Sequence, residues 1–262
     1  MIRRLPLVPL LILFFKAAPI YAAFEAFSDL SGHYLLAVPP NSVGGEWCAS
    51  LIRTDRYGLP ELGTNFVGIT KVLPNRYPGS LPVIGITANS MGDKLYSENR
   101  LEVSLSDDVN KLFPYVNVKA GVQSVRIKDY GSRGHFVMGG ALTIKPLWNL
   151  PITAGVDGVA LPGGRLPVSA ATPIGWVSIY FMSHFSDASF GFEVRSKWSP
   201  QIFVRFTHSV SKRLQINMIW QDRPGRIGGG LGYSINRYTF AISYAYQPII
   251  GTTRRLGFSV GW

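Results

Sequence analysis

The sequence predicts an all-β fold, a transmembrane antiparallel β-barrel, and three observations carry that prediction. The first is the C-terminal stretch, where Leu256, Phe258, Val260 and Trp262 share one parity and Gly257, Ser259 and Gly261 the other. A strand sends alternate side chains to opposite faces, so one face here is bulky and apolar and the other is small. A strand of a soluble sandwich usually carries Lys, Glu or Thr on its second face; small residues there suit a crowded lumen. The second is that this alternation recurs upstream between short turn signals. The third is composition. Charged residues make up 16% of the chain, against about 25% in soluble domains. With 13% aromatic residues, 28 Gly and 18 Pro, this suits a sheet with lipid outside and small residues inside.

The chain opens with Arg3 and Arg4, then the apolar run Leu5 to Phe15, which Lys16 interrupts. That run is too short to cross a bilayer as a helix and has the form of a signal peptide. Ala17, Ala18 and Ile20-Tyr21-Ala22 offer a cleavage site, placed after Ala22 with Ala23 as the near alternative. Residues 1–22 are therefore read as a signal peptide, 23–47 as an irregular N-terminal segment that can enter the lumen, and 48–262 as the barrel. The segment 23–47 contains Ser28-Asp29, Ser31-Gly32, Pro39-Pro40 and Gly44-Gly45 and has no sustained alternation.

Strands are expected at 49–56, 64–73, 81–91, 98–107, 113–127, 134–145, 151–160, 173–184, 188–198, 200–209, 213–221, 226–235, 237–247 and 253–262. Those at 49–56 and 151–160 have the weakest alternation. The pattern is plainest in the last third. Tyr238, Phe240, Ile242, Tyr244 and Tyr246 alternate with Thr239, Ala241, Ser243 and Ala245. Aromatic ends and an aliphatic middle fit the girdles that barrels place at both membrane interfaces. Ser186-Asp187, Ser199-Pro200, Ser211-Lys212, Asp222 to Gly225 and Asn236-Arg237 are turn signals, and strands so closely joined must be antiparallel. Tilted strands of about 9–11 residues accommodate twelve to fourteen strands, and an even number suits a single-chain bacterial barrel.

The net charge of +11 raises the question of a nucleic-acid partner. The signal peptide and the scatter of the basic residues exclude that class; anionic lipid headgroups or an anion-attracting lumen fit better. The lone Cys48 rules out an intramolecular disulfide framework. No Cys, His and carboxylate cluster has metal-ligand spacing, and Gly228-Gly229-Gly230 lacks the lysine and helix of a phosphate loop. No cofactor is expected. Glu102, Glu193, Arg195, Lys197 and Arg205 fall on the inward parity, where charges gate solutes, hold a plug, or fill the barrel as a structural network. A lipid-modifying enzyme would need a serine with a positioned base. The chain has His33, His135, His184 and His208. Sequence neighbours in a strand face opposite ways, which removes His184 with Ser183 and His208 with Ser209; His184 and Ser186 share a parity.

Several short elements carry a family resemblance. They are Tyr57-Gly58-Leu59-Pro60-Glu61-Leu62, Gly92-Asp93-Lys94-Leu95-Tyr96-Ser97-Glu98, Tyr130-Gly131-Ser132 followed by Gly139-Gly140-Ala141-Leu142, and Gly251-Thr252-Thr253-Arg254-Arg255-Leu256. In this order they resemble the PorV/PorQ-like outer-membrane proteins, relatives of the FadL-type transporters of hydrophobic compounds. Arg254 stands where the family's last motif often has His, and the Asn-Pro-Ala-Gly element of the family is reduced to Pro39-Pro40-Asn41-Ser42. The chain is also shorter than the FadL-type proteins. The resemblance implies a 14-stranded barrel in the bacterial outer membrane. It implies a role in transport or secretion, with secretion-system or surface proteins as partners, and a FadL-type channel as the alternative. Tyr96, Glu98, Tyr130, Gly131 and Ser132 are its motif residues, and Tyr96 also fits an interfacial anchor. Outer-membrane lipid and the barrel-assembly machinery are the general partners, and Leu256, Phe258, Val260 and Trp262 resemble the C-terminal assembly signal.

Overall fold

The computed structural model describes residues 46–73, 82–108, 115–144, 150–160, 174–182, 186–195, 200–222, 225–248 and 250–262. Fourteen antiparallel strands form one closed barrel. They are β1 (Trp47–Arg56), β2 (Leu59–Val72), β3 (Val83–Gly92), β4 (Tyr96–Asp108), β5 (Tyr115–Ile127), β6 (Gly131–Ile144) and β7 (Ile152–Ala160), then β8 (Ile174–Met182), β9 (Ser186–Arg195), β10 (Gln201–Ser209), β11 (Leu214–Gln221), β12 (Arg226–Ile235), β13 (Tyr238–Gln247) and β14 (Gly251–Gly261). The even number puts the starts of β1 and the end of β14 at one end of the barrel. The Tyr57–Gly58 turn lies at the other.

Sequence neighbours pair throughout, and β1 pairs with β14 from Cys48 opposite Gly261 to Asp55 opposite Arg254. Closure leaves no strand edge unpaired, which lipid would not tolerate. Across this seam the Ser50 and Ser259 hydroxyls lie 2.9 Å apart. Trp47 and Trp262 exchange two backbone hydrogen bonds of 3.0 Å, and their rings stack at 6.5 Å.

The alternation has the expected sense. Leu256, Phe240, Phe136, Ile86 and Leu51 are exposed on the outer wall, while Ser259, Ser243, Thr64 and Thr54 are buried within. Trp47, with the Lys71 ammonium 4.7 Å from its ring centroid, and Tyr238 mark one interface; Tyr244 and Tyr246 mark the other.

The expected strands at 49–56 and 151–160 are β1 and β7. Two strands begin well before their expected starts. β2 begins at Leu59 rather than 64, so Leu59 to Leu62 belong to a strand. β6 begins at Gly131 rather than 134. Tyr57 and Gly58 both have positive φ, 56° and 70°, the conformation that closes a two-residue hairpin with the twist of its strands. Trp47 opens β1, so the irregular segment expected to reach 47 ends sooner. The signal peptide expected over 1–22 and the rest of that segment, through 45, lie outside the described residues.

Candidate functional site: a polar belt in the lumen

Every one of the fourteen strands contributes at least one buried polar or charged side chain to the inner wall. Most lie toward the end that carries the Tyr57–Gly58 turn: Thr54 and Arg56, Asn89, Arg100, Gln123, His135, Asp157, Gln201, Gln221, Arg226, Gln247 and Arg255. Among the described residues the buried apolar side chains at that end are few and scattered, Val125, Ile174, Phe203, Ile219 and Ala245, so polar groups removed from water must find most of their partners among themselves.

On the wall from β4 to β7 a ring of four charges meets much of that need, while both His135 ring nitrogens are buried without a hydrogen-bond partner among the described residues. The Arg100 guanidinium lies 2.6 Å from Glu102 and 2.6 Å from Asp157. The Lys119 ammonium lies 2.8 Å from Asp157 and 3.7 Å from Glu102. Two cations and two anions alternate, so the ring is neutral. Its side chains are 1–11% exposed, a setting in which an uncompensated charge is costly.

Glycines make this reach possible. A Cβ at Gly139, on β6 between Lys119 and Asp157, would stand 2.7 Å from the Lys119 Cε and 2.9 Å from the Asp157 carboxylate. A Cβ at Gly121 would stand 2.8 Å from the Glu102 Cγ. Long side chains therefore lie down along the wall over missing side chains on the next strand. The Trp176 ring does the same over Gly155, and the Phe203 ring over Gly191. Asp157 sits where the β6–β7 register shifts; Gly158 there has φ of 68°, and its N–H donates to the Asp157 carboxylate at 2.7 Å.

Beside the ring, the Tyr96 hydroxyl donates to Glu98, and the Gln123 amide donates to the other Glu98 oxygen at 3.1 Å. Tyr96 thus turns inward to the lumen rim, away from the interfacial anchor position that was its alternative.

The facing wall has a different character. β6 and β13 are seven strands apart in a ring of fourteen, so β11 to β14 stand across the lumen from the ion-pair ring, and β1 adjoins them beside β14. Their inward charged residues are Arg226, Arg255 and Arg56, all buried. The Arg255 Nε donates to the Thr54 hydroxyl at 3.2 Å, and Arg56 lies within electrostatic reach of Glu98.

Of the lumen charges expected from parity, Glu102 belongs to the ring. Glu193 is inward and half-buried, opposite Gln201. Arg205 is inward with its guanidinium carbon 4.2 Å from the Phe203 ring centroid. The Arg195 side chain and all of Lys197 lie outside the described residues. Of the motif residues, Tyr130 is 89% exposed in the β5–β6 turn, and Gly131 and Ser132 open β6. Leu256, Phe258, Val260 and Trp262 form the outward face of the last strand and the residue after it. Sequence reasoning missed Arg100, Lys119, Asp157, Arg56, Arg226 and Arg255. Arg100 had a usable signal, since it shares the parity of Glu102.

A serine and histidine do meet, though not the expected pair: the Ser186 hydroxyl lies 2.7 Å from the His208 Nδ1. Ser186 is opposite His208 across β9 and β10, both on the outer wall. The His208 ring stacks on Phe206, and no carboxylate is hydrogen-bonded to its Nε2 among the described residues. A nucleophile–base pair thus exists without the third group that orients a catalytic histidine.

No protein-family model matches the chain, and no curated protein matches it. Solved structures do. The chain is similar to the outer membrane protein Omp33 of Acinetobacter baumannii, with 8% identity and a TM-score of 0.55 over 83% of this chain and 98% of that one. Weaker likenesses are to the KdgM porin (8% identity, TM-score 0.42, 82% and 99% covered) and to a mutant of the Rh. blastica porin (8% identity, TM-score 0.43, 82% and 98% covered). At this identity the Omp33 likeness is one of fold. Together with the apolar outer wall it makes this chain a β-barrel of the bacterial outer-membrane type.

Proposed function

We propose that this protein is an outer-membrane channel for small hydrophilic solutes, with a preference for anions set by its arginine wall. The observation that carries this reading is the segregation of charge around the polar belt: a neutral ion-pair ring on β4 to β7, and only arginines on β12 to β1. In a low-dielectric lumen, a wall of one sign concentrates the oppositely charged solute. Side chains held flat over glycines also line the wall rather than cross the lumen.

The resemblance to the PorV/PorQ-like proteins offers transport or secretion, and the polar belt favours transport. A FadL-type route for hydrophobic compounds fits a lumen of this polarity less well. Export through residues 1–22 and insertion by the barrel-assembly machinery belong to the same proposal. The test is incorporation of the purified protein into planar lipid bilayers. Stepwise conductance in potassium chloride is expected. Bilayers that stay silent while the protein is inserted and heat-modifiable would overturn the channel.

A further inference from the structure

A second charged feature lies on the outside of the barrel, where charges are rare. On the outer face at the Tyr57 end, Arg53, Asp55, Tyr57, Gly58, Thr252 and Arg254 line a concavity of about 520 Å³. It spans the seam between the first and last strands, with Asp55 directly opposite Arg254. Below it the wall turns apolar at once: Leu256, opposite Arg53, is 56% exposed, and Leu51 is 54% exposed. Charged side chains on a lipid-facing wall are tolerated near the interface and costly at the bilayer midplane. The concavity therefore sits at headgroup depth, above a surface that acyl chains cover.

Its chemistry is that of an anion site. Arg53 is held in place by two bonds, from Nε to Asp55 at 2.8 Å and from Nη1 to Asn65 at 2.9 Å. Its Nη2 makes no bond among the described residues. The Arg254 guanidinium lies 5.9 Å from the Tyr244 ring centroid and has no hydrogen-bond partner among the described residues. Two guanidinium groups and one carboxylate leave a net positive site with open planar donors, the arrangement that binds phosphate oxygens best.

We propose that this concavity binds the phosphate of a membrane lipid headgroup in the leaflet at the Tyr57 end, with the acyl chains lying on Leu51 and Leu256. The site is independent of conduction through the lumen. The test uses the full-length protein purified from membranes into an uncharged detergent, with diphosphorylated lipid A as the probe and native mass spectrometry as the readout. Wild type and the Arg126→Gln variant, which removes an outward arginine elsewhere on the wall, are expected to retain the lipid equally. The double variant Arg53→Gln, Arg254→Gln is expected to retain about tenfold less, the loss of one to two charge-assisted hydrogen bonds. Should the double variant fail to give a heat-modifiable band, the single variants replace it, each with a loss of about threefold. Equal retention by the assembled arginine variants and wild type would overturn the site. Displacement of the lipid by millimolar inorganic phosphate would also overturn it, since the anion would then be bound without its acyl chains.

Discussion

The two sides of the lumen solve one problem in opposite ways. On β4 to β7 the inward carboxylates Glu102 and Asp157 alternate with Arg100 and Lys119, and these four charges close on themselves, with Glu98 beside them bonded to Tyr96 and Gln123. On β12 to β1 the inward charges are Arg226, Arg255 and Arg56 alone. A closed ring neutralises its own field and stiffens the wall. A wall whose inward charged side chains are all arginines keeps a net positive charge, and its field extends into the lumen. The difference separates structure from selectivity: the inward charges of the ion-paired side should stabilise the wall, and those of the arginine side set what the lumen favours.

The largest effect should come from the arginine side's other task, which is closure. A chain ending before Leu256 loses most of β14 and exposes the edges of β1 and β13 to lipid. Backbone groups left unpaired there each cost several kcal/mol, so no heat-modifiable protein should appear in the outer membrane. Wild-type levels would mean that the seam is dispensable.

Next is Asp157→Asn. It leaves Arg100 and Lys119 short of a shared buried partner, and breaking such a network typically costs about 3–5 kcal/mol. Glu102→Gln should cost less, because Arg100 and Lys119 both keep Asp157. Urea or thermal unfolding, followed by loss of the heat-modifiable band, measures both. Equal costs would show that the four charges do not act as one ring.

A smaller effect is expected at Gly139. Its replacement by Ala places a methyl against the Lys119 chain, the Asp157 carboxylate and the Val156 carbonyl, and overpacking of this kind typically costs about 1–3 kcal/mol. The same change at Gly229, an outward glycine on β12 with nothing nearer than the Asn217 carbonyl at 3.4 Å, should be nearly silent.

The smallest effect is local and depends on pH. Asp93, in the β3–β4 turn, accepts the N–H groups of Tyr96 at 3.1 Å and Leu95 at 2.8 Å. These bonds, that of Tyr96 foremost, hold its carboxyl below the usual carboxylate range. A carboxylate with a lowered folded-state pKa supports the fold above its unfolded value and loses that support as pH falls through the folded one. The hydrogen-exchange protection factors of the Leu95 and Tyr96 amides, with the intrinsic pH dependence of exchange divided out, should therefore fall in acid, while the amides of β4 to β7 keep theirs. Unchanged protection factors at these amides would remove the carboxylate from the turn.

The barrel was legible because its code is local. Bulky outward residues alternate with small inward ones, and in β13 and β14 almost nothing interrupts them. The two displaced starts have local causes as well. Pro60 and Glu61 break the alternation at the head of β2, and Gly131 to Gly134 offer no apolar side chain at the head of β6. The belt was legible only in part, because its partners are not local. Parity brings Glu102 and Arg205 to the inner wall, but the meeting of Arg100 with Asp157 needs three strand-to-strand registers and glycines at the crossings. The pairing of Ser186 with His208 likewise follows from the β9–β10 register and not from spacing.

The most direct test is the reversal potential of the channel across a tenfold gradient of potassium chloride. Wild type should favour chloride, and Arg226→Glu with Arg255→Glu should move the potential toward potassium selectivity while the protein remains folded. A wild-type channel that favours potassium, or a potential that the double charge reversal leaves unchanged, would contradict the assignment of selectivity to the arginine wall.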